Sequence, residues 1–119
     1  MSAADAHYAG GLVDGARILQ LISDAVTEAL IRHDGDEGLM RSMKSEHLAP
    51  VHGGDYLEIR ARLVSVGKSS RTFACTAHRV IALVSPDDSA ANVIAEPTLV
   101  VKAECVAVVP AGKQRASAR

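Results

Sequence analysis

The sequence predicts an α+β domain in which one antiparallel β-sheet wraps a single long central α-helix. Three observations predict it. Apolar residues recur at helical spacing in one block near the N-terminus, and about four later stretches alternate with the period of a strand. The composition is 48% apolar but only 3% aromatic, with no Trp, so the core must be built of Ala, Val, Leu and Ile. One buried helix and one sheet with a single apolar face have a simple way to pack, with the sheet around the helix. At 119 residues the chain forms one domain, 1–119.

The elements follow in order. Residues 1–13 are small and loop-like, and Asp14 is placed to N-cap a helix over about 15–32. Ile18, Leu21, Ile22, Ala25, Val26, Ala29 and Leu30 form its apolar stripe, which Leu19 and Ile31 widen, so most of this helix is expected to be buried. The run from Arg32 to Gly38 ends it in glycines and acids. Leu39 to Leu48 reads as a strand, and His52-Gly53-Gly54-Asp55 as a turn. Tyr56 to Val66 alternates Leu57, Ile59, Ala61 and Leu63 against Glu58, Arg60 and Arg62. After the turn Gly67-Lys68-Ser69-Ser70, Arg71 to Val84 is a long strand with Phe73, Cys75 and Ala77 on one side, and His78 and Arg79 are expected on an exposed face. Ser85 to Pro97 reads as a polar loop. Thr98 to Val109 is the last strand, with Leu99, Val101, Ala103, Cys105, Ala107 and Val109 facing one way. Residues 110–119 read as a disordered tail.

Charge and composition narrow the function. A net charge of −1 and few aromatics argue against nucleic acid as a partner, through both field and base stacking. No apolar run reaches the ~18 residues of a membrane span, and no signal peptide is evident, so a cytoplasmic protein without a membrane partner is expected. Cys75 and Cys105 lie in Val/Ala/Thr-rich runs and read as buried thiols. The five histidines show no HxxxH or HExxH spacing, so no metal site is expected. Gly10-Gly11 is not a dinucleotide fingerprint, because no strand precedes it and GxGxxG is absent.

The stretch from Asp5 to Ala16 carries the chemical signal. Protonatable side chains stand beside a glycine pair, and a long helix follows at once. Glycines admit a ligand close to the backbone, and the helix start offers unpaired N–H groups and a partial positive charge. Together they suit the polarising of a carbonyl.

The text Glu46-His47-Leu48-Ala49-Pro50-Val51-His52-Gly53-Gly54-Asp55-Tyr56-Leu57, followed by Val66-Gly67-Lys68-Ser69-Ser70, resembles the hotdog-fold thioesterase and dehydratase pattern. Asp5-Ala6-His7-Tyr8, Leu12-Val13-Asp14-Gly15-Ala16-Arg17 and Ile31-Arg32-His33-Asp34-Gly35-Asp36-Glu37-Gly38-Leu39 closely resemble the 3-aminobutyryl-CoA and β-alanyl-CoA ammonia-lyases. The resemblance runs from about residue 3 into the tail. The chain departs from the family at His47, where the family carries an aromatic, and at Gly10-Gly11, where the family has Gly-Asn. Family members also carry a strand ahead of the Asp-Ala-His-Tyr text.

The resemblance implies reversible elimination of ammonia from a short β-aminoacyl-CoA, with coenzyme A as part of the substrate and no separate cofactor. That reaction needs a base for the α-proton, donors for the enolate-like thioester oxygen and a partner for the departing amine. Asp14 and Glu46 are the candidate carboxylates, with His7 and Tyr8 as donors or orienters. Gly10, Gly11, Gly15 and His47 are candidates for holding the substrate, and Arg60 and Lys68, with Arg62 and Arg71, for meeting its phosphates.

Each residue has a plainer reading beside this one. Asp14 also reads as a cap only, Glu46 as a solvated strand residue, His7 as a loop histidine, Tyr8 as packing, and the basic row as a solvated face. His52 reads as a turn residue. An acyl-CoA thioesterase is the competing activity; aligning its helix pattern puts Ser23, with Asp24 next, at the acid position. A non-catalytic acyl-thioester-binding protein is the third. Small size and exposed sheet edges predict a homodimer or higher oligomer with the site at the subunit interface.

Overall fold

The computed structural model describes residues 1–6, 8–85 and 87–115. Helix α1 spans Gly15–Asp34. Four strands follow, β1 Leu39–His47, β2 Tyr56–Val66, β3 Ser70–Leu83 and β4 Ala91–Val108. They form one antiparallel sheet in the order β1-β4-β3-β2. The hairpins β2–β3 and β3–β4 pair in sequence order, and β1 closes the far edge against β4.

α1 starts where a side chain replaces the missing partner of its first amides: Asp14 Oδ1 accepts from the Ala16 N–H at 3.0 Å. It stops at Gly35, whose φ of 69° only glycine adopts readily, and the Gly35 N–H reaches the Ile31 carbonyl at 2.8 Å. Ile18, Ile22, Val26 and Leu30 lie against Phe73, Cys75 and Ala77 of β3 and Val101, Ala103, Cys105 and Ala107 of β4. The buried stripe is narrower than the sequence suggested: Leu19 is half-buried and Ile31 exposed, because a single sheet covers one side of the helical cylinder. Cys75 and Cys105 are both buried and free, with sulfurs 3.9 Å apart.

Both ends of the helix are tied to the rest of the fold. At its start the Val13 N–H donates to the Val51 carbonyl at 2.8 Å. At its end Asp34, fully buried, takes a two-pronged pair from Arg71, Nε to Oδ2 at 2.8 Å and Nη2 to Oδ1 at 3.0 Å. His33 Nδ1 lies 3.0 Å from Oδ2. The Arg71 guanidinium, with His33 behind it, holds the Asp34 carboxyl far below the usual carboxylate range despite its burial.

Four expectations are corrected. Arg71 is an internal partner of Asp34 and does not face a ligand. Residues 110–115 are not a loose tail: the Gln114 side-chain amide donates to the Lys68 and Val109 carbonyls, and the Arg115 N–H to the Asp34 carbonyl. Residues 116–119 lie outside the described residues. β4 begins at Ala91, inside the expected loop, because Ala91, Asn92 and Val93 pair with Leu83, Ala82 and Ile81 of β3. The expected single row from Leu99 to Val109 breaks at Val100, where the register slips and turns Leu99 to the side of His78.

Candidate functional site

Gly10 and Gly11 have φ values of 75° and 74°, which fold the chain back just ahead of the helix. A side chain at either would meet open space, so here glycine serves the backbone conformation and not a tight fit. The loop is stitched to the turn at 52–55. Leu12 and His52 form an antiparallel bridge, and the Gly53 N–H donates to the Gly11 carbonyl at 3.0 Å. A cleft of ≈ 1030 Å³ opens between this loop, the turn and the β3–β4 hairpin; Gly10, Gly11, His52, Asp55, Arg79 and Leu83 are among its walls.

Beside the helix start stands His47. A Cβ on Gly15 would lie only 2.9 Å from His47 Cε1 and 3.2 Å from Nδ1, so the missing side chain is what admits the imidazole. Ser45 Oγ lies 3.5 Å from its Nε2. Asp14, Gly15 and His47 therefore come together at the positive end of α1. Tyr8 is largely exposed, and its N–H donates to the Leu12 carbonyl at 3.3 Å. His7 lies outside the described residues.

The other expected site residues stand elsewhere in the chain. Glu46 is on the face of the sheet turned away from α1, where it pairs in register with Lys102, 3.7 Å away and exposed. Arg60 is on that same outer face with Glu58 at 2.9 Å. Lys68 sits in the β2–β3 turn, whose Gly67 carbonyl accepts from Arg71 at the C-terminal end of α1. A 20-residue helix puts that end about 30 Å from its start. Within one chain, Glu46, Arg60 and Lys68 do not join Gly10, Gly11, Asp14, Gly15 and His47.

Two site-lining residues escaped the sequence reading. Arg79 was expected on an exposed face, yet it pairs with Leu57 on the helix side, with a side chain only 21% exposed. Its Nη1 donates to the Pro50 carbonyl at 2.9 Å and lies 3.7 Å from Asp55 Oδ2. Asp55, expected as a plain turn residue, is 4% exposed and accepts from the His52 N–H at 2.9 Å. The signal was present: Arg79 continues the apolar row Phe73, Cys75, Ala77, a place where a charge needs a reason.

Ser23 and Asp24 lie mid-helix, Ser23 half-buried and Asp24 exposed. Among the described residues no helix is long and apolar enough to cross a membrane.

Known proteins share this arrangement. A family model described as the thioesterase superfamily matches residues 10–81. A 3-aminobutyryl-CoA ammonia lyase from Acetoanaerobium sticklandii is 48% identical over 117 residues, 97% of this chain and 93% of that protein. The solved β-alanyl-CoA:ammonia lyase from Clostridium propionicum superposes with a TM-score of 0.93 at 36% identity, covering 98% of this chain and 84% of that one. A hexameric hotdog fold thioesterase of Campylobacter jejuni shares the fold, with a TM-score of 0.72 at 21% identity over 96% of this chain and 81% of its own. With a family match over most of its helix and sheet, and near-half identity to an ammonia lyase along almost its whole length, this chain belongs to the hotdog-fold thioesterase superfamily and, within it, to the family of the CoA-thioester ammonia lyases.

Proposed function

We propose that this protein is an ammonia lyase that reversibly eliminates ammonia from a short β-aminoacyl-CoA, such as 3-aminobutyryl-CoA, to give the 2-enoyl-CoA. The 48% identity along 97% of the chain to a 3-aminobutyryl-CoA ammonia lyase carries this reading. The local geometry agrees with what the reaction needs. The start of α1 and the glycine loop offer amides where a thioester oxygen gains negative charge, and such donors are each worth ~10²-fold or more in rate. Asp14 caps the helix through Oδ1, which accepts from the Ala16 N–H, and its carboxylate is assigned the transfer of the α-proton. Removal of the α-proton gives the enolate. Its collapse forms the carbon–carbon double bond and breaks the bond to nitrogen, whose electron pair leaves with ammonia. His47, against Gly15, flanks the same point. His7 and Tyr8 remain proposed partners for the amine. Coenzyme A enters as part of the substrate, with no separate cofactor.

The placement of Glu46, Arg60 and Lys68 bears on assembly. If they act, a second copy must bring them to the helix start, which fits a site completed between subunits. The exposed edges of β1 and β2 favour such self-association.

Mixing the protein with crotonyl-CoA and ammonium, with products followed by mass spectrometry, tests the reading. An ammonia adduct of the intact thioester is the expected product. Free CoA without adduct would establish hydrolysis and shift attention to Ser23 and Asp24. An unchanged thioester across short enoyl-CoA chains would remove the lyase assignment.

A further inference from the structure

We propose that Arg79 and Asp55 form a positioning pair that holds the Gly10–Gly11 loop at the helix start, and so governs turnover more than substrate affinity. The inference rests on the lyase reading for its kinetic half only.

The contacts form a continuous chain. Arg79 binds the Pro50 carbonyl and faces Asp55. Asp55 closes the turn from both sides, its Oδ2 accepting from the His52 N–H and its own N–H donating to the His52 carbonyl at 3.1 Å. The turn then grips the loop, through the Leu12–His52 bridge and the hydrogen bond from Gly53 to Gly11. The hydrogen bond of Arg79 goes to Pro50 and not to the glycine pair; it acts through the turn.

A second observation is independent of these contacts. The sheet register breaks on both sides of Arg79: β2 slips between Tyr56 and Leu57, and β4 slips opposite Arg79 and Ile81. Such irregularities re-aim a side chain. Here they place a guanidinium at the rim of the apolar face, against a carboxylate that is itself nearly buried. Gly10 and Gly11 need this support, because a glycine pair has the largest backbone freedom to lose on being fixed.

Arg79→Gln and Arg79→Lys should be compared with the wild type in ammonia addition to crotonyl-CoA, together with amide hydrogen exchange. The expected result for Arg79→Gln is a kcat lower by about 10²-fold, with KM within threefold, as for misplacement of a reacting group by ~1 Å. Arg79→Lys, which keeps the charge and one donor for Pro50, should recover part of that loss. The Gly53 amide should exchange at least tenfold faster, with the Phe73 and Cys105 amides of the core unchanged. Unchanged kcat would overturn the proposal, and so would a rise in KM alone, which would make Arg79 a substrate contact. Unchanged Gly53 exchange would overturn it too. If the wild type adds no ammonia, the lyase reading falls by itself, and the exchange at Gly53 still decides whether the pair braces the loop.

Discussion

Gly15→Ala separates helix stability from site geometry. Gly15 is the first residue of α1, and its φ lies outside the left-handed region, so alanine fits the backbone. Alanine exceeds glycine in helix preference by up to ~1 kcal/mol. For a domain of this size that raises Tm by about 4 °C at most. The new Cβ, however, would stand 2.9, 3.2 and 3.6 Å from Cε1, Nδ1 and Nε2 of His47. Ordinary carbon contacts lie near 3.5–4.0 Å, so the ring must move by several tenths of an ångström. His47 is exposed and can swing outward at little cost. The variant should therefore be as stable as the wild type or slightly more so, yet slower. Its kcat should fall by about tenfold or more if His47 works where it stands. His47→Ala should show a similar fall, and the double variant no more than either alone. The assay is ammonia addition to crotonyl-CoA beside thermal unfolding. Full activity in Gly15→Ala with a deep loss in His47→Ala would refute the claim that this contact sets the ring's working position; a large loss of stability would refute the reading of the glycine itself.

Three further outcomes are expected. Asp14→Asn keeps a good N-cap side chain, so unfolding should change by no more than about 0.5 kcal/mol while turnover falls ~10²-fold; equal turnover would leave Asp14 as a cap alone. Glu46→Gln breaks an exposed pair with Lys102, and both stability and turnover should stay within the equivalent of ~1 kcal/mol; a much larger loss of turnover would show that a second chain brings this face to a helix start. Asp34→Asn strands a buried Arg71 and should destabilise by about 3–5 kcal/mol by denaturant titration. Asp34's carboxyl pKa is lower folded than unfolded, so its contribution is present above the ordinary value of about 3.9 and is lost as pH falls toward the folded value. The wild type should therefore lose more stability than Asp34→Asn between neutral pH and pH 3.

Much of the fold was legible because it is written locally. Tyr56–Val66 alternates from Leu57 to Leu63 and forms a strand over the expected residues. Asp14 before an apolar-periodic run capped α1 as expected. Where local pattern fails, reading failed with it. The stretch 91–97 has no alternation, since it pairs with only the end of β3 and is mostly exposed. The tail at 110–115 is ordered by carbonyls of residues far away in sequence, Lys68 and Asp34.

The site divides in the same way. Sequence alone determined the helix, most of the strand positions, the family and the meeting of a glycine pair with a helix start, because each is carried by residues contiguous in the chain. Only the tertiary structure decided which groups share that place. It brought His47 over Gly15, turned Glu46 to the opposite face, set Lys68 at the far end of α1 and put Arg79 beside Asp55. The reason is sheet register: neighbours on a strand face opposite ways, and a slip of one residue exchanges the faces. The slips beside Arg79 and Val100 arise from pairing between separate strands, and the alternation within either strand does not record them.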